Sequence, residues 1–206
     1  MTTLAPSSAA ALVRPRLSAW WRAGAAALVA TALAGGAGAS QTVPKESVSA
    51  CALLLQRLPG VRAEQCEAAR LTPSGARSRL GTALYWRDIL PQRPDIDTLR
   101  VLVVGAMHGD ELTSGALALR WIGLAEQTQR PVHWRFIPVL NPDGLLAKKP
   151  SRTNAHGVDL NRNFNTPGWK LDAPRYWRER TRKDPRRWPG PEPLSEPESL
   201  FLHTQM

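Results

Sequence analysis

His108-Gly109-Asp110-Glu111 sets an imidazole and a carboxylate three residues apart, where an aliphatic run stops and a helical pattern begins. The carboxyl ends of strands are where open α/β sheets bind ligands. An imidazole nitrogen and a carboxylate oxygen aimed at one point suit Zn2+, which takes such donors at about 2.0–2.2 Å. A glutamate at a helix start also meets the positive end of the helix dipole. Taken by themselves, the four residues leave both readings open.

A second cluster follows. Arg152-Thr153-Asn154 leads into Gly157-Val158-Asp159-Leu160-Asn161-Arg162-Asn163-Phe164. One loop thus offers a carboxylate, an amide and two guanidiniums in close succession. The planar fork of arginine matches a carboxylate with two parallel hydrogen bonds. Such groups can hold an anionic substrate end beside a metal, although a solvated polar loop has the same spacing.

The elements that must position these residues read as an α/β pattern. ALYWRDI (83–89) alternates like a strand, and residues 91–97 are a polar turn region. LRVLVVGAMHG (99–109) is a continuous aliphatic run ending at glycine, as in a buried parallel strand. Residues 111–127 are helical in period, with Leu112, Ala116, Leu119 and Ile122 on one face. VHWRFIPVL (132–140) is the next strand, stopped by Asn141-Pro142-Asp143-Gly144. Strand, helix, strand is a βαβ unit. Residues 165–193, rich in Trp, Arg and Pro, read as a long surface excursion.

The 206 residues are 43% hydrophobic and 21% charged, so a packed core is expected and wholesale disorder is not. The formal charge is +10. Arg14, Arg16 and Arg22, with no acid beside them, precede an Ala-rich apolar stretch ending at Ala37-Gly38-Ala39. That order is a secretory signal, so residues 1–39 are expected to be cleaved and the rest exported, periplasmic or secreted, with no stable membrane span. Most of the remaining charge sits between Lys170 and Arg187; after export, nucleic acid is not an expected partner. In an oxidising compartment Cys51 and Cys66 are expected to form a disulfide. It would join two short helices across a Pro-Gly turn within a helical segment, 40–70, and stabilise it by about 3 kcal/mol. A zinc pair is the rival reading, and it lacks neighbouring ligands.

HGDE, NPDG, RTNAHGVDLNRNF and PGPEPLSEPES, in this order, resemble the zinc carboxypeptidase family of the carboxypeptidase A type, especially its bacterial murein peptide amidase branch. The resemblance implies a mostly parallel mixed central sheet with flanking helices over residues 71–206. It implies Zn2+ as cofactor, with His108 and Glu111 as ligands and Asp159 as the acid that orients the ligand histidine. It further implies Arg152 as the group polarising the scissile carbonyl, and Asn161 and Arg162 as the grip on the terminal carboxylate of a peptide, a murein peptide among the candidates.

The family pattern also has a third zinc ligand, a histidine, after the helix that SEPES begins, and a general-base glutamate later still. No residue here matches either: His203 falls within that helix, His133 within a strand and His156 within the arginine loop, while Glu192, Glu196 and Glu198 precede the expected place. The expectation is an incomplete domain, weak in zinc and inactive, since a missing general base alone costs on the order of 10²–10⁴ in rate. Two other readings share some of these features. A zinc deacylase of N-acyl amino acids shares His-x-x-Glu and a DLNR stretch, and a non-catalytic envelope-binding module would use the basic, Trp-rich segment 169–188.

Overall fold

A computed structural model describes residues 49–91, 98–128 and 131–206, all within one compact unit. The signal expected at residues 1–39 lies outside the described residues, as does the start of the 40–70 segment. Two short helices come first, α1 (Ala50–Leu54) and α2 (Ala63–Ala68). Cys51 and Cys66 are joined by a disulfide between them, with Cα atoms 5.7 Å apart and both residues buried.

Four strands form a mixed sheet in the order β1 (Thr72–Arg77), β2 (Ala83–Ile89), β4 (Val132–Ile137), β3 (Leu99–Val104). β3 and β4 are parallel, and β2 runs antiparallel to both β1 and β4. The helix α3 (Leu112–Glu126) makes the crossover from β3 to β4, which is the expected βαβ unit. Its buried face is Gly115, Ala118, Leu119, Ile122 and Ala125, recurring every three or four residues. Leu112 and Ala116 are half-buried at its margin.

Successive side chains on a strand face opposite ways, and Phe136 and Ile137 divide accordingly between two cores. Phe136 packs with Leu54, Leu58, Ala69, Leu119 and Ile122 on the side of α1–α3. Ile137 packs with Leu84, Leu140, Leu160, Phe201 and Leu202 on the side of α6 (Pro197–His203).

Three features depart from the sequence expectation, each for a local reason. β3 ends at Val104 because Ala106 takes a positive φ of 37°, which turns the chain off the strand. That backbone is held by Ser114 Oγ, which accepts from Ala106 N at 2.9 Å, and by Asn141 N, which donates to Ala106 O at 3.0 Å. β1 carries Pro73 and Gly75 and is an edge strand with an irregular register, where Pro is tolerated. The 165–193 segment is folded onto the domain: α5 (Trp169–Glu179) and a 3₁₀ turn at Pro185–Arg187 are tied back to it. Trp169 is buried with its Nε1 donating to Arg162 O, and Trp177 Nε1 donates to Asp184 O at 2.8 Å, so these indoles pack the segment and tie it to the domain. Among the described residues, no helix is long and apolar enough to cross a membrane.

Candidate functional site

The turn after β3 brings His108 and Glu111 together. Glu111 is the N-cap residue of α3, yet its side chain makes no cap bond; Oε1 lies 2.8 Å from His108 Nδ1. The other ring nitrogen, Nε2, lies 3.0 Å from Asp159 Oδ1. Asp159 is fully buried and acceptor-only when ionised, so Nε2 donates to it, and Nδ1 faces the Glu111 carboxylate. A carboxylate placed against this buried imidazole calls for a positive charge close by. In this structure Arg152 Nη1 supplies it, 3.2 Å from His108 Nδ1 and 3.4 Å from Glu111 Oε1.

Asp159 holds the cluster together. Its Oδ2 accepts from Arg152 Nε at 3.1 Å and Nη2 at 3.0 Å, and its Oδ1 also accepts from Asn161 N at 3.1 Å, capping the 3₁₀ turn Leu160–Arg162. Burial pushes the Asp159 carboxyl up. The His108 hydrogen bond and the Arg152 charge outweigh burial and hold it below the usual carboxylate range.

The loop carrying Arg152 and Asp159 is itself built on buried amides, which sequence reasoning missed. Asn154 Oδ1 accepts from His156 N and Val158 N, closing the turn, and its Nδ2 donates to Glu196 Oε2 at 2.8 Å and Glu198 Oε2 at 3.2 Å. Asn163 Nδ2 donates to Pro189 O, Glu192 O and Ser195 Oγ, stitching the 165–193 segment to the loop. Asp143 of the NPDG turn accepts from Ser78 Oγ, Leu80 N and Thr82 Oγ1, fixing the β1–β2 connection. Asparagine and proline-flanked glutamate look like loop composition; only tertiary packing turns them into buried anchors.

Glu198 is a consequence of that burial. Its carboxyl is raised above the usual range, by burial first, against hydrogen bonds from Arg79 N and Asn154 and with a smaller push from the Asp143 charge. An acid raised on folding holds its proton more tightly in the native state. Its contribution to stability is therefore full below the unfolded carboxyl range and is lost as pH rises through the folded value. Glu198→Gln mimics the neutral acid, so its melting temperature, followed from pH 4 to pH 8, is expected to gain on the parent's as pH rises. Parallel profiles would show that Glu198 does not titrate this way.

The site thus gathers His108, Glu111, Arg152 and Asp159. Asn161 and Arg162 follow in the chain and line an adjoining cavity, with Arg162 Nη1 donating to Asn161 O at 2.8 Å. The remaining histidines and late glutamates lie elsewhere. His133 Nε2 is 3.4 Å from Asp88, His156 is against Arg79 and Glu196, and His203 is exposed at the end of α6. Glu192 pairs with Lys170 at 3.6 Å. As a zinc site, His108 Nδ1 and Glu111 Oε1 are donors of the right chemistry with the histidine tautomer fixed from behind. Among the described residues no third His, Cys, Asp or Glu joins them.

Comparison with known proteins gives the family and the fold. The chain is 36% identical over 130 residues to murein peptide amidase A of Escherichia coli K12, covering 61% of this chain and 50% of that protein. It is 42% identical over 71 residues to carboxypeptidase SOL1 of Arabidopsis thaliana, covering 30% of this chain and 14% of that protein. The chain thus spans half the length of the amidase and much less of SOL1. Its fold is that of the carboxypeptidase A from Helicoverpa armigera, with a TM-score of 0.54 at 23% identity over 69% of this chain and 40% of that one. The zinc carboxypeptidase family description matches residues 92–203, over half of the sequence, and the chain belongs to that family.

Proposed function

We propose that this chain supplies the zinc-holding and carboxylate-gripping part of an exported metallocarboxypeptidase. Its reaction would be hydrolysis of a C-terminal or isopeptide-type amide in short peptides, murein peptides among them. The observation that carries the reading is His108, held by Asp159 through Nε2 with Nδ1 turned to Glu111. An imidazole so oriented, backed by a buried carboxylate, is the arrangement of metal-ligating histidines, whose second nitrogen is nearly always tied to an acid or carbonyl.

In this reading His108 and Glu111 hold Zn2+, which when bound lowers the pKa of its water and polarises a carbonyl. Asp159 fixes the histidine tautomer. Arg152 reaches the same point as the two ligand atoms and there stabilises negative charge developing on the carbonyl oxygen. Asn161 and Arg162 bind the free carboxylate of the peptide. Likeness to murein peptide amidase A supports a cell-wall peptide as the substrate class, and the basic, apolar order of residues 1–39 supports export.

Calorimetric titration of the chain with Zn2+ tests the reading. Weak binding is expected, lost in both His108→Ala and Glu111→Gln and reduced about 10–100-fold in Asp159→Asn. Zinc affinity indifferent to all three substitutions would overturn it.

A further inference from the structure

The geometry points to a second anion-holding subsite, walled by α5 and the turn after it, that takes an acidic side chain of the peptide; this rests on the reading that Asn161 and Arg162 grip the peptide's free carboxylate. A cavity of about 450 Å³ opens beside those two residues, within the range of small-ligand sites. Trp169, Asp172 and Tyr176 reach it from α5, and Arg187 from the 3₁₀ turn. Positions 169, 172 and 176 are spaced by three and four, so one face of the helix forms the wall.

The charge balance of this cavity selects an anion. Two guanidiniums, Arg162 and Arg187, line it against one acid, Asp172; with Arg162 given to the terminal carboxylate, Arg187 is the one left for a second anion. Asp172 Oδ1 accepts at 2.8 Å from Arg175, which does not line the cavity, and its Oδ2 lies over Gly168 at the start of α5. The acid nearest Arg187 is Asp184, 3.7 Å from Nε on an exposed surface, an ion pair of little worth. The Arg187 fork is therefore available to a ligand carboxylate. The rings of Trp169 and of Tyr176, which is 46% exposed, can take the methylenes that carry it.

The wall is fixed to the candidate site at three points, so it is set before a ligand arrives. Arg186 Nη2 donates to Asp110 Oδ2 at 2.8 Å, within the HGDE turn. Asp159 N donates to Trp188 O at 2.8 Å, and Trp169 Nε1 donates to Arg162 O at 2.6 Å. These anchors fix the backbone on either side of the cavity, so only the arginine side chains are left to be ordered when a ligand binds. The substrate class that follows is a peptide with two carboxylates close together, one terminal and one on a side chain.

The test is calorimetric binding of two isosteric probes, acetyl-Ala-Glu and acetyl-Ala-Gln, to the full chain. The parent is expected to bind the Glu peptide on the order of 5–10-fold tighter. Arg187→Gln brings that ratio to about one. Arg178→Gln removes the same charge from α5 outside the cavity and leaves the ratio as in the parent. Equal binding of the two peptides by the parent, a ratio that survives Arg187→Gln, or an equal fall with Arg178→Gln overturns the subsite and leaves the terminal-carboxylate reading standing. If neither peptide binds, or if Arg162→Gln weakens neither, that reading fails and the subsite falls with it.

Discussion

Asp159→Ala is expected to lower the unfolding free energy by about 3–5 kcal/mol, the range found when one partner of a buried ionic network is removed. The carboxylate is fully buried and accepts four hydrogen bonds, from His108 Nε2, Arg152 Nε and Nη2, and Asn161 N. The largest part of the cost is what remains behind. The Arg152 side chain is only 14% exposed, and among the described residues the carboxylate left to it without Asp159 is the half-exposed Glu111 at 3.4 Å. Asp159→Asn keeps the shape and one acceptor but turns a donor toward the guanidinium, so an intermediate loss of about 1–3 kcal/mol is expected. Because the folded carboxyl is held below its ordinary range, its contribution is present at neutral pH and is lost as pH falls through the folded value. Urea unfolding at pH 7 and at pH 3 checks both statements, with parent and Asp159→Ala converging in acid. An alanine variant within 1 kcal/mol of the parent at pH 7 would contradict the buried-network account.

What the sequence made legible is what local pattern decides. The run from Leu99 to Val104, the helix from Leu112 and the run from Val132 show their periods directly, and with them comes the βαβ unit that sets His108 and Glu111 at a strand's carboxyl end. β1 was hidden because Pro73 and Gly75 are strand-poor residues that an edge position excuses. The separate roles of Arg152 and Asp159 came only through resemblance, and their pairing was not legible, since six residues of loop lie between them and the turn is made by Asn154. Asn154 in turn depends on Glu196 and Glu198, more than forty positions away. Burial of polar groups is a property of the assembled fold, and a composition that reads as solvated loop gives no sign of it. The same holds for segment 165–193, where Asn163 and Trp169 convert an apparent excursion into a wall of the candidate site.

The contact between the HGDE and NPDG turns gives the second large effect. A Cβ built on Gly109 would lie 2.2 Å from Gly144 C, 2.3 Å from Leu145 N and 2.6 Å from Gly144 Cα. These are backbone atoms of α4 (Pro142–Leu146), and no side-chain rotation can clear them. Gly144 is equally confined on its other side, where a Cβ would meet Asn141 Nδ2 at 2.5 Å and the carbonyls of Ser151 and Thr153 at 2.7 Å. Three strands of chain therefore cross with no spare volume: the His108 turn, the α4 start and the Arg152 loop. Gly109→Ala must push α4 away or lift the turn, and overpacking against backbone is expected to cost about 3 kcal/mol. The displaced turn carries His108 and Glu111, so zinc affinity is expected to fall with stability. Gly123→Ala is the matched control, for it lies on the exposed face of α3 with nothing within 4 Å of its Cβ. There the gain in helix propensity is expected to stabilise by about 0.5–1 kcal/mol. Urea unfolding of both variants reads the difference, and two alanine variants of equal stability would mean that the turns are not in contact as described.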